Sequence, residues 1–319
     1  MGRWSVEITV RGRPLDARLA RTAARLAPEV ERDLRDRMDA YPELFPRAPM
    51  GPVAERLSRA IAYGAPWHTA AELRASARTS LWIFAVDWLV DHRATGADEV
   101  ARIVEQCTAV ADGGAPVDPL SRFLADLRDD LSAASPAFAG FEPVWREELL
   151  RMLHAMRREW HWKAQLALDT SRGLGVSPPP AAGDVCDPVP TTLDGYLAIA
   201  DNFGSAWVNV AHWIAVDDAG VLKHLDVLRR ASRVVQCALR LLNDLATGDR
   251  ETVWKDINAV ALGIPEETVR ARVDDLADET ERILAPLRRD CPQGANYLSQ
   301  QFRWSRDFYG QGHDYWGSL

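Results

Sequence analysis

The sequence predicts an all-α protein, a single domain of packed helices around an apolar pocket. Three observations point there. From Pro14 onward the hydrophobic residues recur with helical periodicity, and the pattern is broken at Pro and Gly. Apolar residues make up 47% of the 319-residue chain, which supports a sizeable core. The twelve tryptophans suit an apolar cavity as well as a core. A chain of this length has a generic prior of two domains, but no internal repeat or compositional shift marks a boundary.

Taken in chain order, residues 4–10 (Trp-Ser-Val-Glu-Ile-Thr-Val) are the one expected strand. Helices are expected over 15–40, 51–63, 69–92, 97–111, 117–133 and 142–172. The stretch Gly173–Pro190, with Pro178, Pro179 and Pro180, cannot be helical and reads as a long surface connection. Further helices are expected over 191–215, over 221–247 and on past Gly248, then over 265–288 and 293–308. In 265–288, Val269, Val273, Leu276, Ile283, Leu284 and Leu287 mark a buried stripe.

Composition excludes several classes. A net charge of −8 without a basic stripe argues against nucleic acid as a partner. No apolar run approaches the ~20 residues of a membrane span. Met1 to Arg13 lacks a signal-peptide core, so a cytoplasmic protein is expected. Cys107, Cys186, Cys237 and Cys291 never form a CxxC pair and read as reduced structural thiols. The histidines show no HxxxH spacing, and no GxSxG, P-loop or GxGxxG motif occurs.

The chemistry concentrates in residues 239–251. Asn243, Thr247 and Glu251 fall at i, i+4 and i+8 and share one helix face. They offer an amide, a hydroxyl and a carboxylate oxygen, the donor type that Mg2+ prefers. Arg240 and Arg250 flank them with fork-shaped donors for phosphate oxygens. A second group lies far upstream, where Asp87 and Asp91 at i, i+4 share a face with Phe84 and Trp88. Alone, such a DxxxD pair reads most simply as acids turned to solvent. With the 243–251 group, the two helices can face each other across a bundle and build a metal site.

These residues carry a resemblance to class I terpene synthases. Asn243-Asp244-Leu-Ala-Thr247-Gly-Asp-Arg-Glu251 is similar to that family's (N/D)DxxSxxxE motif, with Thr for Ser. Asp87-Trp88-Leu-Val-Asp91 resembles the aspartate-rich motif in part, Trp88 standing where a second acid is usual. The resemblance implies the isoprenoid synthase fold, three Mg2+ ions, a prenyl diphosphate substrate and a homodimer. It makes Asp87 the first ligand, with Asp91 orienting it or binding an arginine. Thr192 to Leu197 resembles the start of the helix that breaks at mid-length in the family, and Gly204-Ser205 would supply the break. Bacterial members usually carry a diphosphate-sensing arginine there, and this chain has Ala200-Asp201-Asn202. Arg240 matches a diphosphate-binding arginine of plant members. Near the C-terminus Arg306 and Tyr309 stand in for an adjacent Arg-Tyr pair, and Tyr309 with Asp314 has the spacing of a plant Tyr/Asp pair.

Asp274-Asp275-Leu-Ala-Asp278 is a full DDxxD that could suggest prenyl elongation, but Asp275 lies opposite the apolar stripe, so a solvated face is expected. Phe84, Trp88, Phe203, Trp207 and Trp304, with Gly204, are the candidate pocket residues. Trp160, Trp162, Trp213 and Trp316 are further aromatic candidates, and core packing is the alternative for each. The resemblance implies a lyase that ionises an allylic diphosphate and cyclises the cation, with a C20 substrate (geranylgeranyl or labdane-type diphosphate) preferred. A sesquiterpene synthase on farnesyl diphosphate and a prenyltransferase using the same ionisation stay open, as does a non-catalytic helical module.

Overall fold

A computed structural model describes residues 17–173, 188–254 and 257–316, with the side chains of 169–173 and 248–254 outside that description. The expected strand at 4–10 and the Pro178–Pro180 connection lie outside the described residues. Within them thirteen α-helices follow one another and no strand occurs. They are α1 (Ala17–Ala40), α2 (Arg47–Met50), α3 (Val53–Gly64), α4 (Ala70–Trp88), α5 (Ala97–Ala111), α6 (Pro119–Ala134) and α7 (Phe138–Gly173). After the connection come α8 (Leu193–Leu197), α9 (Ser205–Val216), α10 (Ala219–Lys223), α11 (Leu225–Trp254), α12 (Glu266–Asp290) and α13 (Pro292–Gly310).

Local chemistry sets the boundaries. Thr69 caps α4 by accepting the Glu72 amide, while the Glu72 carboxylate accepts the Thr69 amide at 2.7 Å, a reciprocal capping box. Asp118 caps α6 in the same way, accepting the Ser121 amide at 2.7 Å, with Pro119 in the first turn where its missing N–H costs nothing. Pro292 opens α13 likewise. α7 begins a turn before the expected 142 and runs through Pro143, which sits in its second turn and removes one bond of the ladder.

Three expected helices are divided. The segment 69–92 is α-helical to Trp88, then widens into a π-helical turn over Leu89–Arg93, in which the Ala94 amide reaches back to the Leu89 carbonyl at 2.8 Å. The segment 191–215 splits into α8, a 3-10 turn at Ala200–Phe203 and α9, parted by Gly204 at φ 74°. The segment from 221 splits at His224 into α10 and α11.

Helices α4 and α9 lie innermost. Leu73, Ala77, Leu81, Trp82, Ala85 and Val86 of α4 are buried, and α9 is buried from Ser205 to Ile214. Trp82 and Trp145 flank Trp207 at 5.3 and 5.6 Å between ring centres, and the Trp82 indole N–H donates to the Leu120 carbonyl at 3.0 Å. In α12, Val269, Val273, Leu276, Leu284 and Leu287 are buried, while Asp275 and Asp278 are exposed and Asp274 is half-buried, as expected for a solvated acidic face. Cys107, Cys237 and Cys291 are free thiols. Among the described residues no helix is long and apolar enough to cross a membrane.

The core also buries a histidine. His212 stacks on Tyr297 at 4.6 Å and meets His68 edge-on at 5.0 Å. Burial, reinforced by His68, pushes its pKa down to about 3 from an ordinary 6.5. Because the unfolded chain then binds more protons, stability is complete above pH 6.5 and declines as the pH falls towards 3. At about 1.36 kcal/mol per unit, acidification from pH 6.5 to 5 should cost about 2 kcal/mol at this site. Urea denaturation at the two pH values should show that loss, and His212→Phe should flatten it.

Candidate active site

One cavity of about 240 Å³ opens between α3, α4, α7, α9, α11 and α13. Each helix contributes a face fixed by its own period. Ser80, Ile83, Phe84, Asp87 and Asp91 come from α4 and the π-turn, and Leu239, Arg240, Asn243 and Asp244 come from α11. From α13 the lining is Tyr297, Gln301, Trp304, Ser305 and Tyr309, the i, i+4, i+7, i+8, i+12 stripe of a helix. The upper wall, Phe84 and Trp304 with Tyr315 and Trp316, is aromatic.

Asp87 and Asn243, from helices far apart in the chain, therefore line one cavity. Thr247 continues the Asn243 face one turn on, buried, and its hydroxyl donates to the Asn243 carbonyl at 2.7 Å. Its side chain lies outside the described cavity lining, one turn beyond Asn243 on α11. α11 runs through Arg250 and Glu251, whose side chains lie outside the described residues. Among the described residues no three His, Cys, Asp or Glu side chains converge on one point. The donors gathered here are instead mixed oxygen types, which suit a hard divalent ion.

Asp91 also lines the cavity, but its partner is a lysine rather than the expected arginine: Lys163 Nζ of α7 lies 2.8 Å from its carboxylate. Arg240 is buried at 4% exposure. It donates to Glu159 of α7 at 2.9 Å and lies over the Tyr196 ring at 4.3 Å. Burial opposes its charge, but Tyr196, Glu159 and Asp244 more than compensate and raise its affinity for the proton above the ordinary value. Asp244, beside it, accepts the Ala259 amide at 3.1 Å, and its backbone carbonyl accepts from Asn258 at 2.8 Å, so it ties the loop after α11 to the cavity. Burial raises its pKa, against the pull of Arg240.

The break before α9 forms another part of the wall. Phe203 and Ser205 line the cavity on either side of Gly204. A Cβ on Gly204 would lie 2.5 Å from Ile83 and 2.7 Å from Met152, so close packing as well as the left-handed backbone demands glycine. Asp201 is held by Arg151 at 2.8 Å and Gln236 at 2.9 Å, and Gln236 in turn accepts the Ala206 amide at 2.9 Å.

Several expected pocket residues fall elsewhere. Trp207 points into the Trp82–Trp145 core, because Ser205 and Val208 hold the cavity side of α9. Trp88 sits one step round α4 and packs on His92 at 4.9 Å and Trp316 at 6.4 Å. Arg306 is half a turn from the Tyr297–Tyr309 stripe and lies 4.0 Å from Asp307, outside the described lining. Trp162 and Trp213 are core residues, and Trp160 is half-buried against His161. Asp314 is bound by Arg56 of α3, which donates to its carbonyl at 2.7 Å, its carboxylate at 3.2 Å and the Trp316 carbonyl at 2.7 Å. That clamp sets Tyr315 and Trp316 in the cavity wall, beside Phe84 at 5.5 and 5.3 Å.

Sequence reasoning missed Glu159, Lys163, Tyr196, Asn202 and Tyr315. Glu159 and Lys163 stand at i, i+4, a spacing visible in the sequence but common on solvated helices.

No family model matches the chain. It is 29% identical over 305 residues to ent-pimara-9(11),15-diene synthase of Streptomyces sp. (strain KO-3988), covering 93% of this chain and 95% of that one. Its fold matches 2-methylisoborneol synthase of Streptomyces coelicolor A3(2), solved with Mg2+ and 2-fluoroneryl diphosphate. The TM-score there is 0.64 and identity 14%, over 92% of this chain and 94% of the other. It also matches isoprene synthase of grey poplar leaves, solved with three Mg2+ ions and dimethylallyl-S-thiolodiphosphate. Here the TM-score is 0.61 and identity 16%, over 91% of this chain and 55% of the plant chain.

Replacing Gly204 tests the break. Gly204→Ala should lower stability by about 1–3 kcal/mol, since Ile83 and Met152 must yield and φ 74° is strained for alanine. Chemical denaturation against the parent chain measures it.

Proposed function

From a chain that is homologous to a bacterial diterpene synthase and folded as class I terpene synthases are, we propose a Mg2+-dependent terpene synthase. It ionises an allylic prenyl diphosphate and cyclises the resulting cation. The observation that supports this reading most is the pairing of oxygen donors from α4 and α11 at one cavity with an aromatic wall. A C20 substrate, geranylgeranyl or a labdane-type diphosphate, is the preferred one. The relative that matches almost the full chain is a diterpene synthase, and that supports the choice.

Asp87, Asn243, Thr247 and Glu251 would hold the metal, with Asp91 paired to Lys163 beside them. When bound, magnesium supplies Lewis-acid charge that neutralises the departing diphosphate. Arg240 and Lys163 line the same cavity and offer charge-assisted donors to phosphate oxygens, with Arg250 on the next turns of α11. Phe84, Trp304, Tyr315 and Trp316 exclude water from the hydrocarbon end and favour positive charge by about 0.5–2 kcal/mol per ring. That is enough to bias one cation over another. Ionisation itself depends on the charged groups.

Purified protein should convert one of geranylgeranyl, labdane-type or farnesyl diphosphate to a hydrocarbon or alcohol detected by gas chromatography. Chelation should abolish turnover and added Mg2+ restore it. Asp87→Ala and Asn243→Ala should each lower kcat/KM by about 100-fold or more while the fold is retained. Turnover that survives both changes would overturn the metal assignment. A longer prenyl product formed only with added isopentenyl diphosphate would point to chain elongation instead.

A further inference from the structure

Three glycines among the described residues are buried: Gly64, Gly204 and Gly294. Two of them are fixed by their surroundings. A Cβ on Gly204 meets Ile83 and Met152, and one on Gly294 would lie 2.7 Å from Leu228 and 3.0 Å from Cys291. Gly64 differs. Beyond its own turn of α3, a Cβ there meets no heavy atom of the described residues within 4 Å, and its φ lies outside the left-handed region. Glycine is a poorer helix residue than alanine, so neither packing nor backbone accounts for its presence. Because Gly64 is buried, the space above it is interior, and the residue lines the cavity.

Leu57, Ala60, Ile61 and Gly64 give α3 an i, i+3, i+4, i+7 stripe along the cavity. The helix starts at the upper wall, where Arg56 holds the segment of Tyr315 and Trp316. From Leu57 to Gly64 it descends by about 10 Å. Four residues on, His68 meets His212, which stacks on Tyr297, the first cavity residue of α13. α4 starts beside this floor at Ala70 and carries Asp87 near its other end. Gly64 therefore faces the deep end of the cavity, away from Asp87.

We propose that the space left by Gly64 sets the depth of the cavity and admits the last prenyl unit of a C20 substrate. The proposal rests on the functional reading above and names the residue that decides substrate length at that site. With the diphosphate at Asp87 and Asn243, length is measured at the opposite end, where the tip of the chain meets the floor. A leucine side chain has about the bulk of one prenyl unit, which is the difference between a C20 and a C15 chain. A hydrophobic pocket discriminates a single methylene by about 10- to 200-fold, so a side chain grown into this space has a large effect on the longer substrate. The shorter chain ends above the floor and is spared. Gly64 touches no reacting atom and acts on specificity alone.

The test compares the full chain with Gly64→Ala and Gly64→Leu in the presence of Mg2+. It reads the ratio of kcat/KM for a C20 diphosphate, geranylgeranyl or labdane-type, to that for farnesyl diphosphate. The ratio should fall by about tenfold in Gly64→Ala and by about 100-fold or more in Gly64→Leu. Chemical denaturation should find Gly64→Ala at least as stable as the parent, because a helix former replaces glycine and no neighbour has to move. A ratio in Gly64→Leu within about threefold of the parent overturns the depth assignment alone. So does a parent that favours farnesyl diphosphate, and so does a loss of stability in Gly64→Ala, which would mean that the space is filled. A parent chain that turns over neither C20 nor C15 diphosphates overturns the functional reading, and the proposal with it.

Discussion

A guanidinium buried in the wall of an apolar cavity has to be neutralised where it stands, and Arg240 imposes that condition on its surroundings. Glu159 supplies the counter-charge, Tyr196 its ring face and Asp244 a second carboxyl group nearby. Each comes from a different part of the chain: α7, α8 and the next turn of α11. Removing one partner of such a buried pair typically costs on the order of 3–5 kcal/mol, because the remaining charge is left uncompensated. Meeting this electrostatic requirement therefore brings α7, α8 and α11 together at the cavity.

The apolar part of the cavity follows a different rule. Helical period decides which aromatics reach it. On α9 the cavity side belongs to Ser205 and Val208, so Trp207 completes the core instead. On α13 the stripe from Tyr297 to Tyr309 carries Trp304 inward and Arg306 away. The remaining wall is not helical. Arg56 gathers two backbone carbonyls and one carboxylate of the segment after α13 and thereby sets Tyr315 and Trp316 against Phe84.

Much of the helix order was legible because amphipathic periodicity is strong; 97–111 matches α5 residue for residue. The break inside 191–215 left no periodic trace, since α9 is buried from Ser205 to Ile214, Asn209 and His212 included, and so shows no amphipathic stripe. It was visible only through the resemblance of Thr192–Leu197 and the glycine at 204. Asp87, Asn243 and Arg240 were legible as motif residues, and they line the cavity. Glu159 and Asn202 were not, because a buried role for a polar side chain is decided by partners from other helices, which no local spacing encodes. Trp207 and Arg306 show the converse failure, where residue type suggested a role that helical phase does not permit.

The π-turn after α4 has a consequence for how the acidic segment can vary. Its wider i→i−5 bond at Ala94 gives the backbone after Trp88 a register of its own, while Asp87 keeps the α-helical register set by Leu81 to Val86 in the core. The two acids are thus geometrically uncoupled: one is fixed by hydrophobic packing, the other by its lysine. A lineage could therefore exchange residues 89–91, or give up the second carboxylate together with Lys163, without displacing the first.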